Sequence, residues 1–103
     1  MLFRSHPGET MAEWFMEGLL SRLLDPQDPT ARALLDQATF YVVPNMNPDG
    51  SALGNLRTNA ARANLNREWL SPSAERSPEV FYVRGKMLET AAKIGRASCR
   101  ERV

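Results

Sequence analysis

Cysteine and histidine are scarce in this sequence, and long hydrophobic runs are absent from it. One cysteine, Cys99, and one histidine, His6, occur in 103 residues. No apolar run approaches the roughly 18 residues that a membrane span requires, and the first residues have neither the basic nor the apolar region of a secretory signal. We therefore expect no membrane partner and a cytoplasmic location.

An excess of charge of one sign is also missing. Lys and Arg number 13 and Asp and Glu 12, which gives a net charge of +1, and the two signs are interspersed. Proteins that bind nucleic acid usually carry a strongly basic patch, so we expect no nucleic-acid partner. With 43% hydrophobic and 24% charged residues, the composition is that of a soluble globular domain. The length is short for an open-sheet hydrolase and indicates part of one domain.

The last ten residues, 94–103, resemble the conceptual translation of a common short-read sequencing adapter. An ordinary polar helix end is the alternative interpretation. We expect residues 1–93 to be a native partial domain and residues 94–103 to be a non-native tail. Cys99 lies in this tail, so it is expected to have no redox or metal function.

The first half of the chain predicts a strand, two helices and a second strand. Residues 2–5 indicate a strand end, and Pro and Gly at positions 7–8 force a turn. Apolar residues recur at three- and four-residue spacing over residues 10–24, which predicts a helix with one wide buried face. Residues 29–37 predict a second helix, and residues 39–43 form a β-branched and aromatic run typical of a strand covered on both faces. This order predicts an α/β fold.

Capping residues mark where the later helices begin. Asp28 is expected to cap the second helix and Ser77 a last helix, because a proline follows each of them. Gly18 lies inside the first helix at a cost of about 1 kcal/mol relative to alanine, which suggests a close backbone contact there. Residues 44–73 are rich in Asn, Gly, Pro and Arg without a lasting period, so they predict a long functional loop.

Three short segments carry residues suited to chemistry. His6 and Glu9 are zinc ligands by type, and their His-x-x-Glu spacing can bring both to one ion at a turn. Residues 44–50 read Pro-Asn-Met-Asn-Pro-Asp-Gly and follow the buried strand, where ligand sites of open α/β sheets lie. A third segment, after Arg57, contains Asn66 and Arg67, and an arginine fork beside an asparagine suits a substrate carboxylate.

Each segment also has an interpretation without function. A histidine beside a turn is usually solvated, and Glu9 suits the N-terminus of a helix. Residues 47–50 are a strong turn sequence, loop arginines are usually solvated, and Trp69 is expected to be a packing anchor. The order of the segments and their separations therefore carry the functional interpretation.

In this order, residues 6–9, 43–50 and 64–69 resemble the zinc metallocarboxypeptidase family, most closely its cytosolic carboxypeptidase-like branch. The resemblance covers residues 3–93. It implies part of a mixed-sheet α/β/α catalytic domain of the phosphorylase/hydrolase-like type, with zinc as cofactor. The implied substrate is the C-terminus of a peptide or protein, whose last residue is removed by hydrolysis.

The resemblance also implies roles for five residues. His6 and Glu9 match the first two zinc ligands of the family. Arg57 matches the arginine that polarises the scissile carbonyl and stabilises the oxyanion. Asn66 and Arg67 match the pair that binds the free carboxylate of the substrate. The turn at residues 47–50 matches scaffold.

Two parts of the family's catalytic site have no counterpart in this sequence. The third zinc ligand, a histidine, and the general-base glutamate would both follow Trp69, but His6 is the only histidine. The isolated chain is therefore expected to be an inactive fragment. For the complete enzyme, a zinc amidohydrolase of the aspartoacylase or succinylglutamate desuccinylase type is the alternative, since it shares His-x-x-Glu and an arginine-bearing loop. Residues 44–50 and 64–69 favour the peptidase.

Overall fold

The computed structural model describes residues 2, 3 and 5–94. Most of the expected tail, including Cys99, lies outside these residues. The elements are, in chain order, β1 (Leu2–Phe3), α1 (Thr10–Leu23), α2 (Pro29–Gln37), β2 (Val42–Val43), α3 (Pro48–Leu53), a 3₁₀ helix (Leu65–Arg67) and α4 (Pro78–Ile94). None of the helices in this part of the chain combines the length and the hydrophobicity of a membrane span.

The two strands pair in parallel, with Leu2 opposite Val42 and Phe3 opposite Val43. The helices α1 and α2 connect them, as the crossover of a parallel pair requires. The second strand is shorter than predicted: it is limited to Val42 and Val43, the two residues that pair with β1. Residues 40 and 41 are exposed rather than covered on both faces. Strands and helices thus alternate as in an α/β fold, while the mixed sheet stays a prediction.

Helix α1 has nearly the bounds that the apolar spacing predicts, but its apolar face is mostly uncovered. Met16 and Leu23 are buried, whereas Trp14 is 72% and Phe15 63% exposed. Among the described helices, α2 packs against α1 and covers only part of that face. The contact expected at Gly18 is also not found among the described residues, since a Cβ added there would meet nothing within 4 Å apart from its chain neighbours and the nearby backbone of its own helix.

Helix α2 begins as the sequence predicts. Asp28 has extended backbone angles, and its Oδ1 accepts the N–H groups of Thr30 and Ala31 at 2.9 and 3.0 Å. These are two of the amide groups that have no carbonyl partner within the helix itself. The N-cap prediction for Asp28 is therefore confirmed.

The expected loop at residues 44–73 contains two short helices. Asn47 caps α3 by accepting the N–H of Gly50, and Asn64 caps the 3₁₀ helix by accepting the N–H of Asn66. Short capped turns leave no lasting hydrophobic period, which is why the sequence pattern did not reveal them. This region contributes to a small hydrophobic core. Its buried residues are Met46, Leu65 and Val80, and the partly buried residues packed against them are Val43, Trp69 and Val83.

Candidate functional site

The turn at residues 6–9 brings His6 and Glu9 together. Glu9 N–H donates to His6 O at 3.2 Å, which closes the turn between β1 and α1. His6 Nδ1 and Glu9 Oε1 lie 3.0 Å apart. The His6 side chain is 14% exposed and the Glu9 side chain 55% exposed. The pair therefore combines a mostly covered imidazole with a carboxylate that faces solvent.

These two atoms lie close to the separation of two ligands of one zinc ion. Zinc binds imidazole nitrogen and carboxylate oxygen at about 2.0–2.2 Å, so a tetrahedral site places two such atoms about 3.4 Å apart. A small opening of the observed 3.0 Å contact would admit the ion. Among the described residues, however, no group of three or more His, Cys, Asp or Glu side chains could hold a metal. This part of the chain can supply two protein ligands at one place.

Asn47 fixes the chain just before His6. Its side chain is fully buried, and its Oδ1 accepts the N–H of Gly50 at 2.9 Å. Its Nδ2 donates to the carbonyl oxygen of Ser5 at 3.4 Å, across 42 positions of sequence. The Asn-Pro-Asp-Gly turn is therefore a structural support for the His6 turn.

Leu56 contacts the same turn at Gly8. Gly8 N–H donates to Leu56 O at 3.0 Å. A Cβ on Gly8 would lie 2.9 Å from that oxygen and 2.6 Å from Leu56 Cδ1, so the close approach requires a glycine. Arg57 is the next residue after Leu56, and it is exposed. This backbone contact places Arg57 beside the His6–Glu9 turn in the fold.

The 3₁₀ helix presents Asn66 and Arg67 to solvent. Leu65 is fully buried in the core, whereas the two residues that follow it are exposed. Asn66 Oδ1 accepts a hydrogen bond from Ser5 Oγ at 2.5 Å. Ser5 immediately precedes His6, so this bond joins the third sequence segment to the first.

A short antiparallel hairpin connects Arg57 with the 3₁₀ helix. Thr58 and Asn64 form its bridge, and Asn59 exchanges two hydrogen bonds with Ala63 inside it. Asn59 is 1% exposed, and its Nδ2 donates to Arg76 O and to Glu79 Oε2 at 2.9 and 3.0 Å. The hairpin is thereby attached to the start of α4.

Arg62 lies at the end of the hairpin turn with an unusual backbone conformation. Its φ is 61°, in the left-handed region that residues with a Cβ seldom adopt. Its N–H donates to Asn59 O at 3.0 Å, which closes the turn. Arg62 is exposed and has no assigned role in the site.

The second and third segments singled out in the sequence thus meet the first at residues 5–9. Asn47 and Asn66 contact Ser5, and Leu56 contacts Gly8. The sequence interpretation did not identify two residues that hold this arrangement, Ser5 and Asn59. Both are ordinary polar residues without a diagnostic spacing. Ser5 bonds to a residue 61 positions away and Asn59 to one 20 positions away, so neither contact is visible in the local sequence.

The sequence profile of the family described as zinc carboxypeptidase matches residues 4–87. An uncharacterised protein of Zymomonas mobilis is 62% identical over 90 residues, which are 87% of this chain and 24% of that protein. Human cytosolic carboxypeptidase 4 is 43% identical over 94 residues, which are 91% of this chain and 8% of that protein.

Solved structures resemble the chain as well. A candidate carboxypeptidase A of Shewanella denitrificans superposes with a TM-score of 0.82 at 70% identity, over 85% of this chain and 23% of that one. A metallo-carboxypeptidase of Pseudomonas aeruginosa, solved with (2-guanidinoethylmercapto)succinic acid, gives a TM-score of 0.79 at 61% identity, over 84% of this chain and 23% of that one. The chain therefore spans about a quarter of the length of its bacterial relatives.

Proposed function

The chain belongs to the zinc carboxypeptidase family, and we propose that it supplies part of the active site of a metallocarboxypeptidase. The reaction is hydrolysis of the last peptide bond of a peptide or protein, which releases its C-terminal residue. The observation that carries this proposal is that the second and third segments meet the first at residues 5–9. The names of the human relatives support a location in the cytosol. We propose that residues 1–93 are one partial catalytic domain and residues 94–103 a non-native tail.

His6 and Glu9 are the residues that would hold zinc. When bound, zinc polarises a water molecule and lowers its pKa toward neutrality. Glu9 is more exposed than His6, so its carboxylate would be the ligand that solvent reaches more easily. No group of three or more His, Cys, Asp or Glu side chains among the described residues could hold a metal, and we propose that the complete enzyme supplies the third ligand and the general base from other segments.

Arg57 and the Asn66–Arg67 pair would act on different charges of the substrate. Arg57 is exposed and follows Leu56, whose carbonyl group contacts the His6–Glu9 turn, and its guanidinium suits the negative charge that develops on the carbonyl oxygen in the transition state. The fork of Arg67 with the amide of Asn66 suits the carboxylate, which is charged from the start. The compound bound to the Pseudomonas protein is a derivative of succinic acid and so contains carboxylates, which supports an anion site in relatives.

A chimera gives a direct test of the proposal. Residues 2–93 of this chain would replace the corresponding segment of the Pseudomonas metallo-carboxypeptidase, which is 61% identical. We expect the zinc-loaded chimera to release C-terminal residues from peptides, and a chelator or His6→Ala to abolish the release. The unaltered Pseudomonas protein is the control. Release from N-acyl amino acids but not from peptides would instead support the amidohydrolase.

The isolated chain is expected to bind zinc weakly and to hydrolyse nothing. His6 and Glu9 provide two ligands, whereas catalytic zinc sites use three protein ligands. Calorimetric titration of zinc into the chain should give a dissociation constant at least about a hundredfold higher than that of the chimera, because the loss of an outer-shell partner alone already weakens metal binding roughly tenfold to a hundredfold. Tight one-to-one binding by the chain alone would contradict this prediction.

A further inference from the structure

We infer that Ser5 is a positioning residue that turns the side-chain amide of Asn66 toward the substrate carboxylate; this inference rests on the role proposed for Asn66. Ser5 Oγ donates to Asn66 Oδ1 at 2.5 Å, although 61 positions separate the two residues. Neither the spacing of the motifs nor the resemblance assigns Ser5 a role. Its importance comes from the direction of this one hydrogen bond.

The chemistry of the amide explains why its direction matters. An asparagine side chain has one oxygen, which accepts hydrogen bonds, and one NH₂ group, which donates them. A carboxylate can only accept, so Asn66 helps to bind it only with Nδ2 facing the substrate. Because Asn66 is exposed, rotation by half a turn would present the oxygen and repel the carboxylate.

Ser5 favours the productive orientation. In the observed orientation Ser5 Oγ donates to Asn66 Oδ1, which leaves Asn66 Nδ2 available for an acceptor outside this bond. If the Asn66 amide were reversed, its Nδ2 would donate to Ser5 Oγ. The hydroxyl proton of Ser5 would then lose Asn66 Oδ1, which accepts it in the observed orientation. Ser5 is 9% exposed, so little water is available to replace that acceptor.

Ser5 and Asn66 are each held through a backbone group that bonds to an asparagine side chain. The carbonyl oxygen of Ser5 accepts from Asn47 Nδ2 at 3.4 Å, and the N–H of Asn66 donates to Asn64 Oδ1 at 3.2 Å. The hydroxyl and the amide therefore meet at a fixed place. Because Ser5 directly precedes His6 in the sequence, the orientation of the proposed carboxylate site depends on the position of the His6–Glu9 turn.

Binding of matched peptides to the chimera tests this role. One peptide ends in a free carboxylate and the other in an amide, and a chelator removes the metal so that no turnover occurs. We expect Ser5→Ala to weaken binding of the free-acid peptide about fivefold, the size of one hydrogen bond, and to leave the amidated peptide unchanged. Ser5→Thr keeps the hydroxyl and should bind like the unaltered chimera.

Ser51→Ala is the matched control. Ser51 Oγ also makes two hydrogen bonds: it donates to Asn47 O and accepts from Asn45 Nδ2. Neither bond involves Asn66. If Ser5→Ala weakens both peptides equally, or if Ser51→Ala has the same selective effect, the inference is wrong. Equal binding of the two peptides by the unaltered chimera would also overturn it. Failure of the zinc-loaded chimera to hydrolyse peptides would refute the proposed function without changing the binding ratio.

Discussion

Replacing Arg67 with alanine in the chimera should raise the Michaelis constant for a free-acid peptide roughly tenfold to a hundredfold, the range expected for a lost hydrogen bond to a charged group. The turnover number should change much less. The carboxylate is charged both before and during the reaction, so Arg67 would stabilise the ground state and the transition state alike. Arg67→Lys should recover little of the loss, because a lysine cannot form the two parallel bonds of a guanidinium.

Amidation of the substrate provides the second half of the test. If Arg67 binds the carboxylate, amidation should harm the unaltered chimera far more than it harms Arg67→Ala, because groups in contact show coupled effects. Arg32→Ala is a suitable control, since Arg32 is an exposed arginine on α2, outside the three segments. Simple addition of the effects of amidation and of Arg67→Ala would rule out the carboxylate site.

Arg57 should give the opposite kinetic pattern in the same assay. Its proposed partner is the charge that develops on the carbonyl oxygen, so Arg57→Ala should lower the turnover number and leave the Michaelis constant nearly unchanged. The two arginines therefore distinguish transition-state stabilisation from binding within one protein. If Arg57→Ala and Arg67→Ala change the turnover number and the Michaelis constant in the same way, the two arginines do not have the different roles proposed for them.

The sequence was sufficient for the elements that carry strong local signals. The apolar spacing of α1, the Asp28 cap of α2 and the Ser77-Pro78 start of α4 predicted helices close to the observed bounds. The family resemblance that the three motifs carried is confirmed by the profile match and by the similar structures.

Burial and the short elements of the central region were not predictable in the same way. The face of α1 with Trp14 and Phe15 has the pattern of a buried face, yet burial depends on what packs against it, and the described part of the chain covers little of it. Helix α3 and the 3₁₀ helix depend on single asparagine caps, which the sequence presents as turn residues. The bonds of Ser5 and Asn59 join distant positions, so no local pattern identifies them.

Gly50→Ala should be the most damaging single-methyl change in the site, lowering the free energy of unfolding of the chimera by about 3 kcal/mol. A Cβ at Gly50 would lie 2.4 Å from Thr58 O and 2.5 Å from Asn47 Oδ1. Asn47 supports the His6 turn, and Thr58 follows Arg57. Because the methyl group cannot fit between them, at least one must move, so zinc affinity should fall together with stability.

Gly18→Ala is the matched comparison, and its effect should have the opposite sign. Both glycines lie inside helices, where alanine is intrinsically favoured by about 1 kcal/mol. At Gly18 the added Cβ would meet nothing in the described part of the chain within 4 Å beyond its chain neighbours and the nearby backbone of its own helix, so we expect that preference to appear as a gain in stability. At Gly50 the clash opposes the same preference and exceeds it. Denaturant unfolding of the two variants measures both effects, and a Gly50→Ala variant as stable as Gly18→Ala would show that Asn47, Gly50 and Thr58 are not packed as described.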